Sequence, residues 1–453
     1  MSGLSADERA ALEAVDALAA DIHDMSMTLW RYSETALLEE RSAKYLAGLL
    51  EAEGFTVERG VAGMPTAFVA TFRHGTEGPT LGILAEYDAL PGVGNAPEPT
   101  KTPRADGVTS GQGCGHNLFG AGSVGAAIAL KRAMQSRDLE GELRLYGTPA
   151  EETVVGKVYM AREGLFDGLD ASLVWHPMLE TRVTNGSGLA MNNFTVEFRG
   201  QAAHSAADPW NGRSALDAVE MMNYGVNLMR EHVRPSTRIH YVMPSAGEAP
   251  NVVPEYAKVW YYVRDTLRTR VEEYYDWILD IADGAARATR TEHEVTLITG
   301  VHAMLLNRPL QEAMQANLEA VGGPRFPDAF QQWGMAMQEG LRIPREGLDA
   351  QVKPLAPEPV PASGGSTDVA EVSWIAPTVH LEVTSAPEGV PWHSWATSAA
   401  HGTEWSVAAA DVAARVLALT GIDLLTDPGL VERARAAFEE ATGGRPYRSP
   451  IPA

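Results

Sequence analysis

The chain has 453 residues, of which 45% are hydrophobic and 21% are charged, a composition typical of a globular protein with two or three domains. Its 59 acidic residues against 36 Lys and Arg give a formal net charge of −23, which argues against a nucleic-acid partner and against anionic membrane surfaces. No apolar run approaches the roughly 20 residues that span a bilayer. Residues 1–10 lack a signal-peptide pattern and Cys114 is the single cysteine, so we expect a cytoplasmic protein without disulfides.

Helices and strands alternate in the first part of the chain. Amphipathic periods and apolar runs predict helices at 5–30, 38–53, 117–135 and 157–164, and strands at 55–61, 66–73, 80–87, 142–147 and 171–175. The run over 80–87 is almost continuously apolar, as expected of a strand that is buried on both faces of a sheet. This alternation predicts an open, mainly parallel α/β sheet.

The order of the elements changes after residue 185. Strands are predicted at 191–199, 238–244, 257–264 and 293–301, and helices at 213–232 and 268–288. This is the order β-α-β-β-α-β, which indicates a ferredoxin-like arrangement. We therefore predict a ferredoxin-like domain over 187–305, inserted into the α/β domain, whose two parts span 1–186 and 306–453.

Helices return after residue 306. A Pro/Gly-rich stretch over 354–366 is followed by a predicted strand at 378–384 and a predicted helix at 403–420. Because regular elements follow it, we interpret this stretch as a functional loop of the domain rather than as a linker.

Four short segments concentrate residue types that bind metals. Their candidate side chains are Cys114, His116, Glu151, Glu152, His176 and His393. Cys114 and His116 lie in glycine-rich backbone, whose unusual angles permit both side chains to turn toward one point. The other segments follow predicted strands or precede a helix. In an open α/β sheet such ends line the crevice in which ligands bind.

These side chains offer sulfur, nitrogen and oxygen ligands, a mixture that suits zinc, manganese or a similar divalent ion. Five ligands exceed the need of one tetrahedral site and suit two metals that activate one water. Of the adjacent Glu151 and Glu152, one can bind a metal while the other serves as general base. Taken singly, a buried cysteine, a glutamate pair or a lone histidine is more often structural or solvated, so the prediction depends on their joint placement.

Eight motifs resemble those of the M20 family of metallopeptidases and amidohydrolases. They are LAEYDALPG (84–92), GQGCGHNLFGAG (111–122), GTPAEE (147–152), GKVYMAREGLFDGLDASLVWHP (156–177), GQAAHSAADPWNGRSALDAVEMMN (200–223), APNVVPEYAKVWYYVRD (249–265), GGSTDVAEVSW (364–374) and PWHSW (391–395). Within this family, which includes aminoacylases, the chain most resembles the p-aminobenzoyl-glutamate hydrolase branch. The resemblance covers nearly the whole chain.

The resemblance implies roles for the clustered residues. The implied ligands of two metal ions are Cys114, His116, Glu152, His176 and His393. Cys114 would be the bridging thiolate, and Glu151 would be the general base. Asp88 stands where the family has a carboxylate that supports the metal-binding histidine, a contact that fixes the orientation of an imidazole.

The resemblance also implies that the inserted domain serves dimerisation or acts as a lid over the catalytic domain. His204 matches the histidine that contacts the scissile carbonyl, where it would stabilise the oxyanion. Asn251 and Arg264 match positions at the carboxylate end of the substrate, for which the arginine fork is suited. Gly364 and Gly365 match a loop that lines the substrate pocket.

The activity that the resemblance implies is hydrolysis of a small N-acyl amino acid, such as a p-aminobenzoyl-glutamate-like or other aromatic acyl conjugate. Two divalent ions, zinc or manganese, are the expected cofactors. We expect a homodimer or a pairing with a related second subunit. Two alternatives stay open: a deaminase of an amino-substituted aromatic acid that uses the same metal site, and a non-catalytic protein that binds conjugates or regulates a related chain. The presence of all five ligands and Glu151 disfavours the non-catalytic alternative.

Overall fold

The computed structural model describes residues 4–362 and 364–452, so residues 1–3 of the N-terminal segment, residue 363 of the 354–366 stretch and residue 453 lie outside the described residues. The chain divides into two compact units. The first unit comprises Met1–Gly186, Leu305–Val360 and Val372–Tyr447, and the second comprises Ser187–Met304, Pro361–Glu371 and Arg448–Ala453. Among the described residues, every helix is too short or too polar to cross a membrane.

The helices and strands are numbered in chain order. The helices are α1 (Ala6–Ala17), α2 (Ala19–Tyr32), α3 (Glu40–Ala52), α4 (His116–Arg137), α5 (Gly156–Arg162), α6 (Ala215–Met229), α7 (Arg268–Thr289), α8 (Arg308–Val321), α9 (Asp328–Leu341), α10 (Val369–Ser373), α11 (Trp395–His401), α12 (Val407–Thr426) and α13 (Pro428–Thr442). The strands are β1 (Thr56–Arg59), β2 (Phe68–His74), β3 (Thr80–Ala85), β4 (Gly141–Gly147), β5 (Ala171–Met178), β6 (Arg182–Val183), β7 (Ala190–Arg199), β8 (Arg238–Ser245), β9 (Tyr256–Asp265), β10 (Glu292–Val301) and β11 (Thr378–Thr384).

The first unit is built on a seven-stranded sheet in the order β1-β2-β4-β3-β5-β11-β6. The four strands β4, β3, β5 and β11 run parallel in its centre, while β1, β2 and β6 pair antiparallel at its edges. The predicted mainly parallel sheet is therefore confirmed in its core and supplemented by antiparallel edge strands. Helix α4 contacts β3, β4 and β5, and α12 packs against α4. Both helices are buried along most of their length, as their apolar sequences require.

The second unit contains an antiparallel sheet in the order β10-β7-β9-β8, and its elements follow one another as strand, helix, strand, strand, helix, strand. Side chains along β9 alternate between buried and partly exposed, as expected of a sheet with one covered face. The buried face packs against α6 and α7 through side chains such as Phe194, Val259 and Ile278. These contacts give the second unit a hydrophobic core of its own.

Two predicted helices have different bounds in the structure. The helix predicted at 5–30 is two helices, α1 and α2, because the buried Leu18 leaves the helical conformation between them. The helix predicted at 403–420 begins later, at Val407, because residues 404–406 form a 3-10 turn capped by Thr403, and it continues to Thr426. Element boundaries depend on caps and packing that the hydrophobic period does not encode.

Candidate metal centre

The candidate residues lie at one edge of the large sheet. Glu86 and Asp88 follow β3, Glu151 and Glu152 follow β4, His176 lies near the end of β5, and His393 follows β11. Because these four strands are parallel, their carboxyl ends meet at the same edge. Cys114 and His116 reach this edge from the start of α4, where Gly115 adopts a φ of +83° and a Cβ would lie 2.9 Å from the His401 ring. Glycine is therefore required between the thiol and the imidazole.

Cys114, His116 and His176 form the first of three groups whose possible ligand atoms all lie within 4.8 Å of one another. The Cys114 Sγ lies 3.3 Å from His176 Nε2. His176 Nδ1 lies 2.6 Å from the carbonyl oxygen of Pro177, so Nδ1–H donates there and Nε2 presents its lone pair to the thiol. Burial holds the pKa of His176 well below its ordinary value, which keeps the ring neutral as a metal ligand must be.

Cys114, Glu152 and His393 form the second group, so the thiol belongs to both. His393 Nε2 lies 3.3 Å from the Cys114 Sγ and 3.5 Å from Glu152 Oε2. Partial desolvation lowers the pKa of the His393 ring, which is half exposed, and burial raises the pKa of Glu152 to about 7. His393 has a left-handed φ of +57°, a strained backbone conformation for a residue that carries a side chain.

One carboxylate connects the two groups. Asp88 Oδ1 lies 2.9 Å from His116 Nδ1, and its Oδ2 accepts a hydrogen bond of 3.0 Å from the backbone amide of Glu152. Burial opposes the charge on Asp88, but the neighbouring His116 ring more than offsets this and lowers the pKa of the carboxyl. Asp88 thus orients the His116 ring of the first group and also holds the backbone of Glu152, a member of the second group.

The site has the properties that divalent ions require. His116 Nε2 and Glu152 Oε1 are buried and have no hydrogen-bond partner among the described residues. In a tetrahedral zinc site a sulfur and a nitrogen ligand lie roughly 3.5 Å apart, close to the two observed distances of 3.3 Å from Cys114 Sγ. Burial raises the pKa of the Cys114 thiol, and metal coordination would supply the positive charge that a buried thiolate lacks. The donor set therefore fits two ions that share the sulfur.

Glu151 lies beside these groups on a short 3-10 turn, Glu151–Thr153. The turn is bounded by two left-handed residues, Ala150 at φ +59° and Val154 at φ +58°. Glu151 Oε2 lies 4.0 Å from His116 Nε2, outside the two groups that contain the thiol. The buried Glu39 accepts a hydrogen bond of 2.9 Å from the amide of Ala150 and so holds the start of the turn.

Glu86 and its partner Lys157 are site residues that sequence reasoning missed. Glu86, His116 and Glu151 form the third group of closely spaced ligand atoms. Glu86 lies 3.2 Å from His116 Nε2, and the buried Lys157 ammonium lies 2.7 Å from its other oxygen. The sequence holds a signal for such a pair. Glu86 directly follows the apolar run over 80–85, and an acid at that place is costly to bury without a charged partner.

His401 matches no predicted ligand position, and the structure gives it a supporting place beneath the thiol segment. Its Nδ1 lies 2.7 Å from the carbonyl oxygen of Gln112, and its Nε2 lies 2.9 Å from Ser385 Oγ. Burial lowers the pKa of His401 to about 4. A neutral ring thus ties the segment before Cys114 to the segment after β11.

His204 and Asn251 lie in the second unit and are adjacent to each other there. The backbone amide of Ser205 donates to the carbonyl oxygen of Asn251, and His204 pairs with Val252. His204 is exposed, and its Nδ1 accepts from the amides of the two alanines that follow Ser205, at 3.2 Å each. This pattern assigns the proton of the neutral ring to Nε2, which can donate to a ligand.

Arg264 lies on β9 without an acidic partner among the described residues. Its Nε is buried and has no hydrogen-bond partner within the part of the chain that the structure describes. Its guanidinium carbon lies 5.3 Å from the centre of the Tyr262 ring, and burial lowers the pKa of Arg264. Gly364 has a φ of +81°, and Gly365 accepts a hydrogen bond of 2.9 Å from Leu189. A Cβ at either glycine would meet no atom of residues 4–362 or 364–452 within 4 Å, leaving aside its own chain neighbours.

A cavity of about 440 Å³ lies in the first unit, beside the metal-binding segments. Met178, which lies two residues after His176, lines the cavity, and so does Trp392, which directly precedes His393. The charged residues along its wall are Glu180, Arg182, Glu346, Glu382 and Glu388. Arg182 pairs with two of the four acids, so the wall keeps an excess of negative charge.

Comparisons with known proteins agree with this architecture. Residues 82–453 match the model of peptidase family M20/M25/M40. The chain is 35% identical to one of the subunits of p-aminobenzoyl-glutamate hydrolase of Escherichia coli strain K12, over 96% of both chains. It is 27% identical to the Xaa-Arg dipeptidase of Mus musculus, over 95% of this chain and 92% of the relative. A dinuclear metal binding peptidase of the M20 family from Bacillus subtilis has a similar fold, with a TM-score of 0.58 and 18% identity over 89% of this chain and 98% of that chain.

Proposed function

The chain belongs to peptidase family M20/M25/M40, whose members hydrolyse amide bonds with metal ions, and from this premise we propose that it cleaves the amide bond of a small N-acyl amino acid. The observation that carries the proposal is the pair of ligand groups that share Cys114, with the Glu151 carboxyl beside them. A binding protein would need neither a shared thiol nor a second carboxyl held next to it. The Escherichia coli relative is named a hydrolase of p-aminobenzoyl-glutamate, so we propose an aromatic acyl group joined to an amino acid such as glutamate.

We assign the ligands of one ion to Cys114, His116 and His176, and those of the other to Cys114, Glu152 and His393. The Bacillus subtilis protein is described as dinuclear, which supports two ions, and zinc and manganese both suit this donor set. When bound, such ions would polarise the scissile carbonyl and lower the pKa of the attacking water.

Glu151 is proposed as the general base. Its carboxyl lies 4.0 Å from His116 Nε2 and outside both thiol-containing triads, which places it beside the ions that those triads would hold. From there it would remove a proton from the attacking water. It can then deliver that proton to the leaving nitrogen. The left-handed residues on both sides of its turn hold the carboxyl in place, and Asp88 holds the next residue, Glu152, through its amide.

We propose that residues 1–186 and 306–453 form the catalytic domain and that 187–305 form a ferredoxin-like dimerisation or lid domain. The element order and the antiparallel sheet of the second unit support that description. His204 is proposed to donate from Nε2 to the oxyanion. Arg264, whose half-buried guanidinium has no acidic partner among the described residues, and Asn251 are proposed to bind the substrate carboxylate, with Gly364 and Gly365 lining the pocket.

The proposed assembly is a homodimer or a complex with a related second chain, which is supported by the Escherichia coli relative being named as part of a larger enzyme. The cytoplasmic location stays a prediction from the composition. The assembly and the location do not change the chemistry that is proposed for one chain. Both are testable by purification from the native host under mild conditions.

A second candidate substrate class is a dipeptide with a basic side chain. The excess of glutamates around the cavity next to His176 and His393 favours a cationic group there, and one relative is named an Xaa-Arg dipeptidase. The amide chemistry and the roles of the ligand residues are the same for both classes. Only the group that occupies the cavity differs.

The experiment is a product assay with the purified chain loaded with zinc or manganese. The panel contains p-aminobenzoyl-glutamate, hippurate, indoleacetyl-aspartate, N-acetyl amino acids and a dipeptide ending in arginine. Glu151→Gln is the inactive control, and Glu163→Gln is the matched control because Glu163 is exposed. Release of an amino acid that Glu151→Gln abolishes supports the proposal. Release of ammonia from an aromatic amine would favour deamination, and no turnover by the metal-loaded chain would contradict the proposed hydrolysis.

A further inference from the structure

One oxygen of the buried Glu39 carboxyl joins two separate segments of the first unit. Glu39 lies directly before α3, and its side chain is fully buried. Its Oε1 accepts a hydrogen bond of 3.0 Å from the amide of Leu37 and one of 2.9 Å from the amide of Ala150. Both donors have left-handed backbones, with φ of +64° at Leu37 and +59° at Ala150. Such a backbone persists in a residue with a side chain only where its surroundings hold it, and Glu39 supplies a bond to each of the two.

The candidate general base, Glu151, lies between two residues whose amides are bound by buried carboxyls. On one side Ala150 donates to Glu39, and on the other Glu152 donates to Asp88 Oδ2 at 3.0 Å. These carboxyls come from different parts of the chain, one before α3 and the other after β3. The two bonds therefore fix the backbone on both sides of the residue that carries the base.

We propose that Glu39 is a positioning residue for Glu151, because it holds Ala150 in the left-handed conformation that places the carboxyl of the base. This inference rests on the proposed function, since it takes Glu151 as the group that moves the proton. The two hydrogen bonds of Glu39 Oε1 go to backbone amides rather than to ligand side chains. Loss of the bond to Ala150 would therefore displace the base while the ligand groups keep their side chains.

Three substitutions separate the reach of the side chain from its charge. Glu39→Gln keeps the length and an acceptor oxygen but removes the charge. Glu39→Asp keeps the charge but is shorter by one methylene, which draws the carboxyl away from Ala150. Glu39→Met keeps the length without an acceptor. Asp170→Leu is the matched control, because Asp170 Oδ2 also accepts from a backbone amide, that of Thr80 at 2.9 Å, but at the end of β3 opposite to the candidate metal centre.

Each variant is purified, loaded with zinc or manganese and assayed for kcat, KM and metal content at one pH. We expect Glu39→Met and Glu39→Asp to lower kcat about 10–100-fold, because a displacement of about 1 Å in a reacting group can cost that much. The metal content should not change, and KM should stay within about twofold, since Glu39 is proposed to act on the base and not on substrate binding. Glu39→Gln should keep kcat within about threefold, because its amide oxygen can accept the same bonds. Asp170→Leu should lower the stability in denaturant unfolding without the loss of kcat.

Amide hydrogen exchange over residues 148–156 gives a second measurement that does not depend on turnover. Ala150 donates its amide to Glu39, and its carbonyl oxygen accepts from the amide of Val155 at 3.2 Å. These two amides should exchange at least about 10-fold faster in Glu39→Met and Glu39→Asp than in the unaltered chain. In Glu39→Gln they should exchange as in the unaltered chain.

Unchanged kcat in Glu39→Met and Glu39→Asp would overturn the proposal. Equal losses of kcat in Glu39→Gln and Glu39→Asp would also overturn it, because the hydrogen bond to Ala150 would then not be the cause. If Glu39→Met does not fold, the comparison of Glu39→Gln with Glu39→Asp decides in the same way. If the unaltered, metal-loaded chain hydrolyses none of the amides, the proposed function fails and hydrogen exchange decides: faster exchange in Glu39→Asp alone supports the positioning of the turn, and equal exchange in both variants overturns it.

Discussion

The buried carboxyl of Glu39 is expected to make the metal-free protein less stable as the pH rises. Burial, with a smaller effect of the Asp88 carboxylate, raises the pKa of Glu39 from its ordinary 4.5 to about 7. Each pH unit between the folded and unfolded pKa values corresponds to about 1.36 kcal/mol. The charged form of Glu39 therefore lowers the free energy of unfolding by about 3 kcal/mol once the pH exceeds the folded pKa.

The direction follows from where the proton is bound. Below pH 4.5 the acid is protonated in the folded and the unfolded chain, and Glu39 adds no pH dependence. Between 4.5 and about 7 the unfolded chain releases the proton while the folded chain keeps it, so the free energy of unfolding falls as the pH rises. Glu39→Gln removes this titration and keeps an oxygen that can accept from the amides of Leu37 and Ala150.

The assay is denaturant unfolding of both proteins in chelator at pH 5, 6, 7 and 8. At each pH we subtract the free energy of unfolding of the unaltered chain from that of the variant. This difference is expected to be about 2–3 kcal/mol larger at pH 8 than at pH 5. Other buried acids titrate in the same window, so this difference between proteins is the decisive quantity. Glu58→Gln, at an exposed position of β1, should show no such trend. A difference for Glu39→Gln that stays constant from pH 5 to 8 would refute the reasoning.

Four further substitutions test the site. Glu151→Gln should lower kcat by about 10²–10⁴-fold with unchanged metal content, measured by product assay and elemental analysis. Cys114→Ser should reduce the bound metal from two ions to none after dialysis, because the thiol belongs to both ligand groups. Arg264→Met should raise KM about 10–100-fold with a smaller change in kcat if its guanidinium binds the substrate carboxylate in ground and transition state alike. Gly156→Ala should destabilise the chain by roughly 2 kcal/mol or more in denaturant unfolding, since its Cβ would lie 1.8 Å from the Pro149 carbonyl oxygen.

Much of the fold could be predicted because the hydrophobic pattern reports burial. The predicted strand at 378–384 has the same bounds in the structure as β11, and the apolar run over 80–87 contains β3 in the middle of the sheet. The antiparallel edge strands could not be derived, because strand direction depends on which strands pair rather than on the period of one strand. The break at Leu18 was equally invisible, since the apolar period continues through it.

The ligand residues were predictable because thiols, imidazoles and carboxylates at strand ends are unusual in combination. Their partners were harder to predict. Lys157 occupies a helix position where a lysine is ordinarily exposed, and only the structure shows that it faces Glu86. Glu39 lies 111 residues before Ala150, whose amide it holds, and no local pattern connects the two. Supporting contacts of this kind depend on tertiary proximity, which a single sequence does not encode.

The arrangement also explains why the proposed ions should matter for folding as well as for catalysis. Ala150, Val154 and His393 have left-handed backbones at the segments that carry Glu151, Glu152 and a metal ligand, and each such residue costs roughly 1–3 kcal/mol. Burial adds a further cost, which raises the pKa of the Glu152 carboxyl to about 7. Cations at this edge would offset the charge cost and fix the strained turns. With these turns held in one conformation, little backbone is left to be ordered when substrate binds. A catalytic centre that is ordered before the substrate arrives is preorganised.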